Sequence, residues 1–342
     1  MSGIPKNESY QFDATVSGLT FTQAEPGGLL QMVIEDHVDM IGVARFTISQ
    51  GQEEWASIKL GSDVEVKVGA SGRKMFVGLV TGLRHTRKGG QDALVVMAMD
   101  PLIKASSSRR TKVYEDMTDS DIVQEVIGAA GLEAGKVDST EGQSPYVLQR
   151  NESDLEFMKR LAARNNYLLL CNEGKVDFVK PQFSGQSVEV SPDMVESLDY
   201  TMNAVSVPPN MTTYGWDYVE TSTVEGTAGS GDIEAIGGGE NAVSAAAKIW
   251  GGTSYVSDVE VSSQGGAKGI AVAELNRLAR NFLRGTARVD GNADIHAGAK
   301  VKFKGYSTGF NPEIYVLSAR HLFQPKRGYA TEFQFCGNTM PE

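Results

Sequence analysis

The residue types that could perform chemistry are few in this chain and stand far apart. Its four histidines, His37, His85, His296 and His321, belong to no H-E-x-x-H, H-x-H or His/Cys grouping of the kind that holds zinc. Cys171 and Cys336 are too few for a disulfide framework or a metal cluster. No G-x-S-x-G elbow presents a serine nucleophile. The Gly-rich stretch Gly226–Gly239 lacks the Lys and Ser/Thr that complete a phosphate-cradling loop. Asp232-Ile-Glu234-Ala-Ile-Gly237 has the start of a calcium loop, but Ile236 takes the place of an oxygen ligand and the twelfth position is Val243. Asp36-His37-Val38-Asp39 has acid/base residue types; on a strand these alternate with apolar neighbours and read as a solvated face. Trp216 and Tyr218 share one side of a strand, where a core or interface role suits them better than stacking on a sugar or base. The chain therefore reads as a non-enzyme with no cofactor and no metal.

Composition narrows the class further. The 342 residues suit two or three domains, and 41% hydrophobic residues suit a packed core. The longest apolar runs, Ala93–Met99 and Tyr167–Cys171, fall well short of the ~20 residues of a membrane helix, and the N-terminus has no apolar signal segment, so no membrane anchor is expected. With 32 Lys and Arg against 43 Asp and Glu, the net charge of −11 argues against a nucleic-acid footprint. The acidity is uneven. Residues 184–260 hold twelve acids and one cation, Lys248, whereas residues 261–342 hold eleven cations and six acids.

The elements that must position these residues are mostly strands. Leu30, Met32 and Ile34 alternate with polar residues, as do Val64, Val66 and Val68. Met75–Thr81 and Ala93–Met99 are further strand-like runs, so residues 1–103 read as a first β-barrel domain. Residues 104–183 read as a small α/β module. There, a helix capped by Thr118 runs to Gly131, a second opens on the capping box Ser153-Asp-Leu-Glu156, and a hairpin turns at Asn172-Glu-Gly174. Residues 184–342 read as a second β-barrel domain, with strands near Val188 and Tyr214, a mobile Gly-rich loop at 226–240, a helix at 269–284 and three closing strands. Gly61-Ser-Asp-Val64-Glu-Val66 precedes Arg84-His85 by a strand and a turn; Gly298-Ala-Lys-Val301-Lys-Phe303 precedes Arg320-His321 in the same way. The spacing predicts two related barrels in a mainly β chain with an α/β insertion.

Two segments carry a family likeness. Gln149, Asn151, Ser153, Asp154, Phe157, Arg160, Leu161 and Ala162 fit the pattern Q-x-N-x-[ST]-D-x-x-F-x-x-R-L-A. Gly285, Ala287, Gly291, Asn292, Ile295 and Gly298, followed by Tyr329, Thr331, Glu332 and Phe333, fit G-x-A-x-x-x-G-N-P-x-I-x-x-G … Y-x-T-E-F, with Ala293 where Pro is usual. Together they resemble the phage late control gene D family, the baseplate hubs of contractile tails, related to the N-terminal part of the valine-glycine-repeat spikes of type VI secretion. The resemblance implies a homotrimer whose six barrels form a pseudo-sixfold ring, adapting a hexameric tail tube above to a trimeric spike below. It implies other baseplate proteins and a tape measure protein as further partners, DNA passing through without specific binding, and a place in the virion after assembly in the bacterial host cytoplasm. The chain ends just after its last strand, so a separate spike protein is expected. A type VI-like or extracellular injection device carrying protein effectors is an alternative, and a cell-wall hydrolase at the baseplate is another. Because an acidic wall repels polyanions, Glu189, Glu196, Asp199, Asp217 and Glu220 are expected to line the channel.

Overall fold

The computed structural model describes residues 11–49, 53–69, 72–183, 185–218, 220–256, 261, 263–306, 311–325 and 328–341. The first part is β1 (Phe12–Val16), β2 (Leu19–Thr22), β3 (Leu29–His37), β4 (Val43–Ser49), β5 (Asp63–Val68), β6 (Arg73–Lys88) and β7 (Gln91–Met99). Alternation sets them: Val64, Val66 and Val68 are buried while Asp63, Glu65 and Lys67 face outward. Then come α1 (Ile103–Ser106), β8 (Arg109–Met117), α2 (Asp119–Ala129), β9 (Ala134–Val137), β10 (Ser144–Ser153), α3 (Asp154–Arg164), β11 (Leu168–Asn172) and β12 (Lys175–Val179). The last part is β13 (Val188–Val190), β14 (Val195–Met202), β15 (Met211–Asp217), β16 (Ser222–Ala228), α4 (Ala242–Ile249), β17 (Ser254–Val256), α5 (Gln264–Ala279), β18 (Leu283–Asp290), β19 (Lys300–Phe303), β20 (Glu313–Gln324) and β21 (Gly328–Gly337).

Among the described residues one curled sheet runs through both ends of the chain, in the order β14-β18-β21-β20-β3-β4-β7-β6-β5-β1-β2, with β19 beside β20 and β13 beside β19. The strands of the two expected barrels are thus joined in one sheet. The seam is the antiparallel pairing of β3 with β20, from Ser318↔His37 to Phe323↔Met32. The sheet closes over two apolar cores. One is built around Phe46, Val66 and Val96 and admits Phe323 and Tyr329 from the far end of the chain; the other is built around Leu275, Val301, Phe303 and Phe335. A third core, around Phe157, Leu161 and Phe178, belongs to the helical segment between them.

The internal repeat has a structural counterpart. Val64 faces Gly78 across β5 and β6, and Val301 faces Ile314 across β19 and β20. Three residues beyond Gly78 the register slips at Thr81, between Val80↔Ala98 and Gly82↔Met97. Three residues beyond Ile314 it slips at Leu317, between Val316↔Phe335 and Ser318↔Gln334. A bulge bends a strand and strengthens its twist, so one bulge at the same count in each set curls each set alike.

Local signals act as expected in the middle segment. The Thr118 hydroxyl caps α2 by accepting from the Asp121 N–H, and Ser153 and Glu156 form a reciprocal capping box on α3. Glu173 and Gly174, both at positive φ, turn β11 into β12. Two expectations near the C-terminal part are corrected. The helix spans Gln264–Ala279 rather than 269–284, because the Ser263 hydroxyl caps it by accepting from the Gly266 N–H. Gly285, which would directly follow a helix ending at 284, is a strand residue of β18. A Cβ there would lie 2.5 Å from the Asp199 carbonyl oxygen and 2.5 Å from the Phe335 ring. The stretch 226–240 is not a free loop either. It opens as the end of β16 and is then pinned from two sides. The Glu234 N–H donates to Asn276 Oδ1 and the Ile236 N–H to Asn338 Oδ1, both at 2.8 Å, and Ile236 is fully buried.

Candidate functional site

The most organised polar feature is a row of charges crossing five neighbouring strands. Arg320 on β20 stands opposite Glu35 on β3 and Glu332 on β21, and Glu332 stands opposite Arg288 on β18. Arg320 reaches Glu35 at 3.0 Å and Glu332 at 2.9 Å; Arg288 pairs with Glu332 and with Glu196 on β14. The signs alternate, Glu196, Arg288, Glu332, Arg320, Glu35, and each inner carboxylate or guanidinium is shared between two partners. The neighbouring positions Ala287, Ala319 and Phe333 turn into the cores, so the ladder lies on the opposite face of the sheet, along an open groove that also includes Ser197, Thr286 and Gln334. Partly exposed pairs of this kind contribute little one by one, while a network fixes side-chain geometry. It ties the β3–β20 seam across its polar face. Sequence reading missed Glu35, Arg288 and Arg320 here. Their alternate-position charges were visible, but which strands adjoin was not.

The seam also gathers titratable groups on its core side. The Asp36 carboxylate accepts the N–H groups of Ala297 and Ala319, at 2.9 and 3.2 Å. Burial raises its pKa to about 6 against those hydrogen bonds. His321 is fully buried, with Nδ1 2.8 Å from the Tyr329 hydroxyl, and burial lowers its pKa to about 3. His296 is lowered by burial as well. Asp39, at φ +60°, accepts the Leu169 N–H at 2.8 Å. The solvated face expected for Asp36–Asp39 is therefore corrected: both acids are links between distant segments. The ladder and this cluster hold no arrangement of nucleophile, base and oxyanion donors, and no group of three or more His, Cys, Asp or Glu suited to a metal is found among the described residues.

The motif residues of the middle segment assemble one structural knot. Asn151 takes positive φ at a bulge between Arg150 and Glu152, and its N–H donates to Thr111 Oγ1. Buried Gln149 donates to the Glu152 carbonyl and to Asp154 Oδ1. Asp154 is buried and paired with Arg110 at 2.6 Å. Phe157 stacks on Tyr114, and Arg160 lies over the Phe157 ring, bonding Glu152 and the Leu148 carbonyl. Leu161 is in the core. In the second motif, a Cβ on Gly291 would fall 2.1 Å from the Tyr329 ring, Gly298 turns at φ +86°, Phe333 is buried and Glu332 is the centre of the ladder.

The five candidate channel acids are not brought together. Glu196 and Asp199 share β14, and Glu196 is paired with Arg288. Glu189 lies on β13 and pairs with Lys304 at 3.0 Å. Asp217 and Glu220 sit at the β15–β16 turn, where the Glu220 N–H donates to Asp217 Oδ1. Asp232 and Glu234 of the calcium-like segment pair with Lys268 and Lys180. Trp216 and Tyr218 are exposed rather than in a core.

A family model described as the Alg8 N-terminal domain matches residues 11–324. The chain belongs to the Alg8 N-terminal domain family. A search of curated proteins gives no match. Among solved structures, this Alg8 N-terminal domain chain is similar to the 43 kDa tail protein of prophage MuSo2 from Shewanella oneidensis, at 14% identity and TM-score 0.70, covering 96% of this chain and 98% of that one. It is equally similar in fold to a tail protein from Neisseria meningitidis MC58, at 13% identity and TM-score 0.70, covering 96% of each chain. The E. coli c3393 protein, a component of the type VI secretion system, matches at 13% identity and TM-score 0.62, over 96% of this chain and 77% of that one. At these identities the likeness establishes the shared fold. No helix among the described residues is long and apolar enough to cross a membrane.

Proposed function

We propose that the chain is a structural hub of a contractile tail or related injection machine, acting by assembly and not by catalysis. The observation that carries this reading is the repeated strand set, β5–β6–β7 and β19–β20–β21, with its bulge at the same count in each. Two such sets in one chain give six in a trimer, which lets a threefold object present near-sixfold positions to a tube. The end-to-end likeness to two tail proteins supports it. On this reading the chain sits in the tail baseplate of a virion, bound to a tube protein above, a spike protein below and other baseplate components. Residues 1–103 and 184–342 supply the two ring units, and 104–183 is a module held by the 149–161 knot.

The ladder changes what the channel wall would be. If the polar face of the sheet lines the lumen, Glu196 and Asp199 lie on it while Glu189, Asp217 and Glu220 do not share their strand. Glu196 is already neutralised by Arg288. The lumen is then close to self-compensated, a surface on which DNA or protein cargo finds no run of free cations to bind. The likeness to a type VI secretion component favours a second reading, in which the cargo is protein rather than DNA. Electron microscopy of the intact particle tests the hub: density for this chain as a ring between tube and spike is expected, and density on the sheath or fibres would refute it.

A further inference from the structure

The small sheet of β15, β16 and β17 has one covered and one bare face. α5 covers the first so closely that a Cβ on Gly226 would lie 2.2 Å from the Ala267 backbone. On the second, Tyr214 and Trp216 follow at alternate positions of β15, 37% and 44% exposed; Tyr218, 80% exposed, stands in the turn just beyond, and Tyr255 from β17, 64% exposed, stacks on Tyr214 with ring centroids 6.0 Å apart. Four exposed aromatic side chains on and beside one small sheet are unusual for a surface that faces only water. Their electrostatic surroundings are one-signed. Glu225 stands directly opposite Tyr214, and Glu220 lies in the adjoining turn. Neither has an ion-pair partner among the described residues. The unit's own nearby cations are engaged: Lys248 with Glu240, Lys268 with Asp232.

We propose that this face docks a segment of a different protein that carries arginine or lysine side chains. Aromatic faces attract cations through the ring quadrupole, guanidinium most often, and Trp, Tyr and Arg are the residues that dominate interface energies. The acids at the edge strengthen that preference and oppose nucleic acid and anionic lipid. The cations along and just after β19 are spent internally, Lys300 and Lys302 on Glu313 and Lys304 on Glu189, so that strand of a second copy is a poor occupant. The proposal does not rest on the tail reading.

Tyr218→p-benzoylphenylalanine, introduced in cells making the complete assembly, tests it by photocrosslinking and peptide sequencing. The expected product joins residue 218 to another protein within a stretch holding at least two Arg or Lys. A crosslink to a second copy of this chain, to a stretch without cations, or no crosslink, overturns the proposal. Against the synthetic peptide so identified, Trp216→Ala with Glu225→Gln is expected to weaken binding at least tenfold with an unchanged melting temperature. Unchanged binding, or equal weakening by an exposed acid-to-amide change on β13, Glu189→Gln, overturns it too.

Discussion

The strand sets β5–β6–β7 and β19–β20–β21 share register and bulge, yet they end differently. Beyond its bulge the first set leads to Arg84 and His85, both exposed, with the His85 and Trp55 ring centroids 6.4 Å apart. The second leads to Arg320 and His321, where the arginine enters a five-membered charge ladder and the histidine is sealed against Tyr329. The backbone plan is the same; the neighbours are not. β20 has β3 along its other edge, so its side chains must be satisfied on both flanks. Among the described residues the corresponding stretch of β6 has no such partner beyond β5, which ends at Asp63 opposite Leu79. The two sets share the geometry that curls the sheet, and their polar residues differ according to whether the set meets another strand.

The comparison can be broken at its core positions first. Val64→Asp and Val301→Asp each bury a lone carboxylate in an apolar core, at a cost of several kcal/mol. Equal, severe losses of stability in chemical unfolding are expected. A mild Val64→Asp beside a severe Val301→Asp would show that the sets are not equivalent. Glycines sharpen the comparison next. Gly285→Ala forces a Cβ onto the Asp199 carbonyl, a fixed backbone atom, and is expected to cost about 2–3 kcal/mol, as overpacking does. Gly82→Ala meets only the end of the Met97 side chain, which can swing away, and is expected to cost under about 1 kcal/mol.

The seam gives a pH test. The folded-state pKa of Asp36 is raised to about 6, so the folded chain takes up a proton that the unfolded chain does not between about pH 6 and the ordinary carboxylate value of 3.8. Its contribution to stability therefore grows as pH falls through that window and is lost as pH rises through 6. Lowered His321 has the opposite sign: its contribution is full above 6.5 and is lost as pH falls towards 3. Asp36→Asn removes only the first effect. Relative to that variant, the parent chain should gain on the order of 2 kcal/mol between pH 7 and pH 4 in melting experiments; parallel curves would contradict the raised Asp36 pKa. The smallest effect belongs to the ladder. Glu332→Gln weakens two partly exposed pairs and should cost about 1 kcal/mol or less at low salt and still less at high salt.

How much of this was legible in the sequence follows from the range of the interactions. Caps, the hairpin turn at Glu173-Gly174 and the alternation of β5 are local and were readable. The β3–β20 seam joins residues nearly the whole chain apart, and nothing in Met32–His37 names Ser318–Phe323 as its partner. The order of the 226–240 segment depends on the amide side chains of Asn276 and Asn338, so its own Gly-rich composition misleads. The helix α5 began early because Ser263 caps it, a signal that was present but masked by Gly265 and Gly266. The motif residues were picked out by pattern alone. Their roles as cap, bulge and buried amide became visible only with Arg110, Thr111 and Tyr114 placed beside them.

The proposal that one chain supplies two related units to a threefold ring is tested most directly by mass photometry of the purified chain, alone and with the proposed spike partner. A particle holding three copies is expected, seen as a ring with a central opening in electron micrographs of the same sample. A monomer or dimer at micromolar concentration under both conditions would contradict it.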